Sequence, residues 1–271
     1  MKRLLWTLAI VAICLPAAAN ATVLLTEEFE YDAGTLLTAT PNWAAHSGAG
    51  TNPLTVTASG LSYPGYPPTL GNAVAMTVSG EDVHTLASMS HTDGAIYLAF
   101  VAEFSAAQGT GDYFAHFYQS SSSFYGRVYA KDVGGALNFG VSRGSAGPNY
   151  SPDPFAYNTP HLIVVKYTMI AGTLNDTADL WVNPVIGPTE PTPLVSYTDV
   201  GSTDGTNIIG VALRQGNSSN APTQWVDGIR VATTWADAVG AVGDPLGACC
   251  DPDGGCTITY QVDCFDTWHA E

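Results

Sequence analysis

The stretch HLIVVKYTMI, residues 161–170, is apolar at most positions and rich in β-branched side chains. Successive side chains of a β-strand point to opposite faces of the sheet, so a strand with one solvent-exposed face alternates apolar and polar residues. A run that is apolar on both faces and is followed by turn residues such as AGTLND instead predicts a central strand. We therefore expect this strand to be covered by protein on both sides.

Seven more strand-like runs lie along the chain, separated by clusters such as AQGTGD, SSSS and KDVGG. These runs are GAIYLAFVAEF (94–104), DYFAHFYQ (112–119), FYGRVYAK (124–131), ALNFGVS (136–142), ADLWVNP (178–184), NIIGVALRQ (207–215) and WVDGIRVATTW (225–235). Short β-branched and aromatic runs at this spacing predict an all-β fold, a two-sheet antiparallel β-sandwich. TTWADAV (233–239) indicates one helical turn, and four prolines within 184–196 indicate a loop across one end.

Composition divides the chain into three parts. Residues 1–21 are typical of a secretory signal peptide, with a charged start, an apolar stretch and the small-x-small site Ala19-Asn20-Ala21. Residues 22–246 are long enough for one β-sandwich domain, and residues 247–271 form a cysteine-rich tail. No later stretch approaches the roughly 18 apolar residues that a membrane span requires. We expect a secreted or cell-surface protein without a transmembrane segment.

The charge balance excludes one class of partner. The chain has 24 acidic and 8 basic residues, a net charge of −16, and two of the basic residues, Lys2 and Arg3, belong to the predicted signal peptide. This charge repels nucleic acid and anionic membrane surfaces. Charged residues make up only 12% of the chain, against about 25% in a typical protein. A surface of Ser, Thr, Asn and Gly, as in extracellular β proteins, is the expected consequence.

Two of the few positive charges lie in FYGRVYAKD, residues 124–132. Strict alternation predicts that Tyr125, Arg127, Tyr129 and Lys131 share the outer side of a strand, while Phe124, Val128 and Ala130 face the core. Aromatic rings stack on the apolar faces of sugars, and Arg and Lys donate to hydroxyls or pair with carboxylated sugars. The candidate ligand-binding residues are Tyr125, Arg127, Tyr129, Lys131, Trp181 and Arg214. The alternative is an exposed sheet stabilised by cross-strand pairs.

Two catalytic interpretations find weaker support. GVSRG (140–144) matches the pattern of a serine nucleophile at Ser142, but three prolines soon afterwards prevent the helix that this turn requires. Glu103 and His116 lie on neighbouring predicted strands and offer an acid and a base, as polysaccharide cleavage needs. We expect both to be surface polar residues, so no catalytic residue is assigned.

No cofactor is predicted apart from one structural calcium ion. Its candidate ligands are Asp176 and Asp179 in NDTAD and Asp199 and Asp204 in DVGSTDGTN, since calcium prefers hard oxygen ligands. Turns in which Asp or Asn side chains bond the backbone explain both segments equally well.

Four tail cysteines, Cys249, Cys250, Cys256 and Cys264, favour two disulfide bonds over a zinc site in an exported chain. A bond between the adjacent Cys249 and Cys250 would be strained, which leaves each of them joined to Cys256 or Cys264. A tail this short cannot bury a core, so crosslinks are expected to stabilise it.

Several stretches resemble a secreted module of surface proteins from Bacteroidota and related environmental bacteria. They include EEFEYDAGTLLT, GLSYPGYP, KYTMIAGTLNDTADLWVNP and VDGIRVATTWADAV, and the resemblance covers 23–239. The later part is also similar to concanavalin A-like and laminin-G-like jelly rolls. GACCDPDGGCTITYQVDC resembles cysteine-rich units of Planctomycetota proteins that continue to further cysteines, so we expect a truncated sequence. The resemblance implies a jelly roll but no settled activity.

These observations favour an exported, non-catalytic recognition or adhesion module that binds an extracellular glycan within a larger surface protein. A structural spacer without a ligand and a polysaccharide-cleaving hydrolase or lyase are the alternatives.

Overall fold

A computed structural model describes residues 23–67, 69–86, 89–198, 201–241, 246–250, 256–260 and 267–270. The described chain is almost entirely β-structure. Its strands are β1 (Val23–Glu27), β2 (Trp43–Ser47), β3 (Thr55–Val56), β4 (Val74–Met76), β5 (Asp82–Thr85), β6 (Gly94–Ala106), β7 (Asp112–Ser120), β8 (Ser123–Val133), β9 (Ala136–Ser142), β10 (Asn149–Tyr150), β11 (His161–Met169), β12 (Thr177–Val182), β13 (Val195–Tyr197), β14 (Gly210–Leu213), β15 (Thr223–Ala232), β16 (Leu246–Cys250), β17 (Cys256–Tyr260) and β18 (Thr267–Ala270). The described residues also include a 3-10 turn (Leu37–Ala39) and one helical turn, α1 (Trp235–Ala238).

The strands up to β15 form two antiparallel sheets. An eight-stranded sheet has the order β13-β12-β11-β6-β15-β4-β3, with β1 also paired to β15. A seven-stranded sheet has the order β10-β9-β8-β7-β14-β5-β2. The chain passes from one sheet to the other many times, in the manner of a jelly roll. The predicted all-β, two-sheet sandwich is confirmed, and all eight predicted runs lie on strands.

The core fills the space between the two sheets. Alternate residues of β6, including Phe100 and Phe104, point inwards because the strand has a period of two. Phe114 of β7 meets both rings edge-on, at centroid distances of 6.0 and 5.2 Å. Such edge-to-face pairs stabilise a core beyond the burial of their area. These contacts join the sheets and leave the two outer surfaces for other roles.

Much of the outer surface of the eight-stranded sheet is covered by protein, although Glu103 and Trp225 remain partly exposed there. Trp181 of β12 and Trp235 of α1 pack against each other there, with ring centroids 5.1 Å apart. Trp181 Nε1 donates to the carbonyl of Pro191 at 2.9 Å, and Trp235 Nε1 donates to that of Gly187 at 3.0 Å. The proline-rich loop therefore lies over this face rather than only across one end. This cover explains why β11 is apolar on both sides, as predicted.

The tail strands β16, β17 and β18 form a separate three-stranded sheet. Cys250 takes part in a disulfide bond. The pairing predicted for Cys249, Cys256 and Cys264 lies outside the described side chains and stays a prediction. The predicted signal peptide also lies outside the described residues. Within the described part of the chain, no helix is long and apolar enough to span a membrane.

Candidate functional site

A β-bulge at Gly126 decides which side chains of β8 face outwards. Ala115 of β7 is paired with Val128, whereas Phe117 is paired with Tyr125, so β8 holds one extra residue between these pairs. Gly126 adopts φ +54°, a left-handed conformation that glycine reaches without steric cost. The extra residue inverts the alternation for the part of β8 before the bulge.

The inversion corrects two predicted orientations. Tyr125 faces the core, where its ring lies 5.4 Å from that of Tyr167 and its hydroxyl donates to the carbonyl of Asp204. Phe124, predicted to be internal, lies on the outer side beside Arg127. Tyr125 is therefore not part of the outer surface. Arg127, Tyr129 and Lys131 follow the bulge, and they face outwards as predicted, since Val128 and Ala130 are in the core.

The outer surface of the seven-stranded sheet carries a group of rings and cations that we name the cationic-aromatic face. Its members come from β7, β8, β10 and the residue directly after β14, and all of them except Tyr129 are partly exposed. They are Tyr113, Phe124, Arg127, Tyr129, Lys131, Tyr150 and Arg214. Four of the six predicted ligand-binding residues thus share one surface. Sheet pairing, rather than sequence spacing, brings Arg214 to it.

Two guanidinium groups stand over the ring of Tyr113. The Arg214 guanidinium carbon is 4.1 Å from the ring centroid of Tyr113, and that of Arg127 is 4.7 Å away. Arg214 is also held by carboxylates, because its Nη1 lies 2.8 Å from Asp112 Oδ1 and its Nε lies 3.9 Å from Asp82 Oδ2. Cation–π stacking of this kind fixes the ring and both side chains. Arg214 is consequently a structural partner of Tyr113 with its charge already compensated.

Arg127 and Lys131 have different surroundings. Arg127 Nε donates to the carbonyl of Phe124 at 3.4 Å, and the guanidinium stands over the rings of Tyr113 and Phe124. Lys131 Nζ lies 4.0 Å above the ring centroid of Tyr150. Among the described residues, neither cation has a carboxylate within 4.0 Å. Both charges are therefore positioned by aromatic rings and remain free to meet an anion.

Tyr129 and Tyr150 continue the aromatic surface, with ring centroids 6.3 Å apart. Gly140 lies beneath Tyr150, and a Cβ atom built there would be 2.7 Å from the tyrosine ring. The absence of a side chain thus lets the ring lie close to the sheet. Tyr129 is only 8% exposed, so it supports the neighbouring rings more than it offers surface of its own.

Three histidines adjoin the cationic-aromatic face, and sequence reasoning did not bring them together. His46 of β2 lies 5.3 Å from His84 of β5 and 6.4 Å from His116 of β7, measured between ring centroids. Tyr118 stacks on His84 at 4.2 Å, and Phe124 lies 4.4 Å from His116. The strands that carry these residues come together through the sheet order β7-β14-β5-β2. No local sequence signal reveals this order.

Burial lowers the pKa of all three histidines. It lowers the pKa of His46 to about 4, with a further contribution from His84, and it lowers the pKa of His116 to about 3. His116 Nδ1 lies 3.0 Å from the carbonyl of Phe117, so this nitrogen carries the ring proton. His46 and His116 are therefore neutral near pH 7, and burial lowers the pKa of His84 in the same direction. Within the described ranges, no three His, Cys, Asp or Glu side chains are placed to hold a metal ion.

The remaining predicted residues lie elsewhere. Trp181 belongs to the eight-stranded sheet and is buried beneath the proline-rich loop, so it does not extend the cationic-aromatic face. Glu103 pairs with Trp225 on the outer side of that same sheet. His116 lies on the outer side of the opposite sheet, and sheets pack about 10 Å apart. It is fully buried beneath neighbouring rings, so the expectation that it is a surface residue is wrong. Glu103 and His116 cannot form an acid–base pair, although sequence order suggested that they lie on adjacent strands.

Ser142 ends β9, and its hydroxyl is fully buried. The Oγ atom donates to the carbonyl of Gly144 at 3.0 Å and lies 3.3 Å from the hydroxyl of Tyr129. Irregular chain follows rather than a helix. The serine has the surroundings of a strand end, as the prolines after it indicated.

Asp176, a predicted calcium ligand, is buried and engaged by donors. The Tyr167 hydroxyl donates to its Oδ2 at 2.6 Å, the Ile170 amide to its Oδ1 at 2.8 Å, and the Gly205 amide to its Oδ2 at 3.0 Å. These bonds occupy both oxygens of the carboxylate. Asp176 thereby ties the turn after β11 to the segment before β14.

Two other candidate ligands form ion pairs. Asp204 Oδ1 lies 2.5 Å from Arg143 Nη1, and Asp179 Oδ2 lies 3.1 Å from Lys166 Nζ. Asp199 lies outside the described residues. The calcium ion stays a prediction, and binding it would require some of these partners to be released.

Comparisons with known proteins describe the fold alone. No protein-family model matches the chain, and no curated protein matches it. Among solved structures, an endo-β-1,4-glucuronan lyase from the fungus Trichoderma reesei has 10% sequence identity and a TM-score of 0.47, covering 80% of this chain and 98% of that one. A carbohydrate binding module from Bacillus subtilis has 10% identity and a TM-score of 0.38, covering 69% and 93%. The receptor binding domain of botulinum neurotoxin D has 10% identity and a TM-score of 0.44, covering 78% and 49%. At these values the likeness carries no information about function.

Proposed function

We propose that this chain is an exported, non-catalytic carbohydrate-recognition module of a larger surface protein, and that the cationic-aromatic face binds the glycan. The proposal depends on one observation: partly exposed rings and two uncompensated cations share the open side of a sheet. Aromatic faces stack on the apolar faces of sugar rings, and cationic donors bind oxygen-rich groups. Ligand-binding sites are usually lined by apolar and aromatic side chains together with a small number of polar groups.

The asymmetry of the sandwich supports this choice of surface. The proline-rich loop and α1 cover much of the eight-stranded sheet, with Trp181 and Trp235 buried beneath that loop. Tyr113, Phe124 and Tyr150 of the seven-stranded sheet remain partly exposed. A glycan laid across the sheet would bury them on binding.

A glycan array tests the proposal directly. The chain is expected to bind a subset of polysaccharides, and the double variant Arg127→Ala/Tyr129→Ala is expected to lose that binding. Lys166→Ala is a suitable control, because Lys166 is a cation of the opposite sheet. Unchanged binding by the double variant would contradict the assignment of this face.

The two alternatives, an enzyme and a structural spacer, are each distinguished from the proposed module by experiments on the same purified protein. An enzyme would release reducing ends or unsaturated sugars from the bound polysaccharide, whereas the proposed module leaves the polymer intact. A spacer would bind no member of the array while remaining thermally stable. Either outcome would overturn the proposed function.

A further inference from the structure

We infer that the ligand of the cationic-aromatic face is an acidic polysaccharide, and that Arg127 and Lys131 pair with its carboxylate groups. This inference rests on the proposed function and specifies the class of glycan. It depends on where this acid-rich chain places its few cations and on which of them it leaves uncompensated.

Positive charge is concentrated on this surface. Outside the predicted signal peptide the chain has six basic residues, and three of them, Arg127, Lys131 and Arg214, lie on the cationic-aromatic face. The other three are engaged elsewhere: Arg143 with Asp204, Lys166 with Asp179 and Glu190, and Arg230 with the carbonyl of Asp237. The distribution is not that of cations spread evenly among the 24 acidic residues of the chain.

Two of the three cations on the face lack a counterion. Arg214 is compensated by Asp112 at 2.8 Å. Arg127 and Lys131 have no carboxylate within 4.0 Å among the described residues, although acidic residues outnumber basic ones threefold in this chain. Each stands over a tyrosine ring, which fixes its position without neutralising it. An arrangement that only stabilised the sheet would place acidic side chains beside these cations.

The spacing suits a polymer with repeated negative charges. Arg127 and Lys131 are four residues apart on the same side of β8, a span of about 13 Å at the usual rise of a strand. The rings of Tyr129 and Tyr150 lie along this part of the sheet. A chain of sugar units crossing the rings could therefore present one carboxylate to each cation. Guanidinium binds carboxylate with two parallel hydrogen bonds, which ammonium cannot reproduce.

The overall charge makes these two contacts decisive. At net charge −16 the protein repels a polyanion at long range, so local pairing must overcome that repulsion. Removing one cation weakens the local attraction and also makes the net charge of the protein more negative, so the long-range repulsion increases. We therefore expect losses of tenfold or more in affinity from a single substitution, as is typical of charge-assisted hydrogen bonds.

The test compares one polyuronate with the same polymer after its carboxyl groups have been reduced to alcohols. The chain is expected to bind the polyuronate at least tenfold more tightly than the reduced polymer. Arg127→Gln and Lys131→Gln are each expected to remove most of that preference, and Arg127→Lys to restore it in part. Lys166→Gln is the matched control and is expected to retain it. A sulfated form of the reduced polymer tests for general attraction to polyanions.

The outcomes separate this inference from the proposed function. Equal affinity for the polyuronate and the reduced polymer overturns the inference and leaves carbohydrate recognition standing. An unchanged preference in Arg127→Gln and Lys131→Gln, or tighter binding of the sulfated polymer than of the polyuronate, also overturns it. Binding to none of the polymers, with the array negative as well, overturns both claims.

Discussion

Replacement of Gly126 by alanine tests the bulge that sets the outward face of β8. At φ +54° an alanine is in the left-handed region, which costs about 1–2 kcal/mol relative to ordinary backbone. Its Cβ would also lie 2.9 Å from Cδ2 and 3.2 Å from Cε2 of Phe117. Phe117 is fully buried, so its ring cannot move aside. Overpacking of this kind costs about 1–3 kcal/mol more.

Gly134→Ala is the matched control. Gly134 lies in the turn after β8 at φ +65°, and a Cβ built there meets no atom within 4 Å. This variant loses only the backbone contribution, about 1–2 kcal/mol. Urea unfolding followed by tryptophan fluorescence measures both losses. We expect Gly126→Ala to be less stable than Gly134→Ala by about 1–3 kcal/mol. Equal stabilities of the two variants would refute the bulge. They would also refute the orientations derived from it, with Phe124 pointing outwards and Tyr125 pointing into the core.

Three further predictions concern other parts of the sandwich. Asp204→Ala leaves the fully buried Arg143 without its counterion and should lower the free energy of unfolding in urea by about 3–5 kcal/mol. Glu190→Gln, in a more exposed ion pair, should lower it by less than about 1 kcal/mol. Similar losses in the two variants would contradict this ranking. Burial lowers the pKa of His46 from 6.5 to about 4, so stability is unaffected by this group above pH 6.5 and falls as the pH drops towards 4, where the unfolded chain takes up the proton first. Wild type should therefore lose more stability than His46→Gln between pH 7 and pH 4, and parallel pH profiles of the two proteins would count against this reasoning. Trp181→Ala should lower the free energy of unfolding by about 3–5 kcal/mol, and at temperatures where the variant is folded its affinity for the glycan should be unchanged. A loss of affinity in the folded variant would place the ligand on the eight-stranded sheet instead.

The long strands were predictable because their physical signal is local. Runs such as 94–104 and 161–170 are long enough for β-branched content and periodicity to stand out. The strands of the first 90 residues have only two to five residues, which is too short for a period to show. Their positions depend on pairing with distant strands. Tertiary context, rather than local preference, decides such elements.

The side-chain orientations along β8 show how one extra residue alters a prediction. Alternation correctly placed Arg127, Tyr129 and Lys131 outside, because they follow the bulge. It misplaced Tyr125, because strict alternation does not allow for an extra residue. An isolated glycine within a strand-like run is a known sign of a bulge, so Gly126 was the available signal.

The membership of the site was only partly predictable. Arg214 and Tyr113 meet because β14 pairs with β7, a contact between residues about a hundred positions apart. The exclusion of Trp181 depends on which sheet the proline-rich loop covers, and composition does not reveal that choice. His46 and His84 reach the same surface through strands that the sequence pattern did not mark.

Footprinting with hydroxyl radicals, in the presence of a saturating polyuronate, tests the central claim most directly. The method reports which aromatic side chains a bound ligand covers. We predict slower oxidation of Tyr113, Phe124 and Tyr150 on the seven-stranded sheet, with Trp225 of the opposite sheet unchanged. Protection of Trp225 alone, with the three rings of the cationic-aromatic face oxidised as fast as in the free protein, would contradict the account.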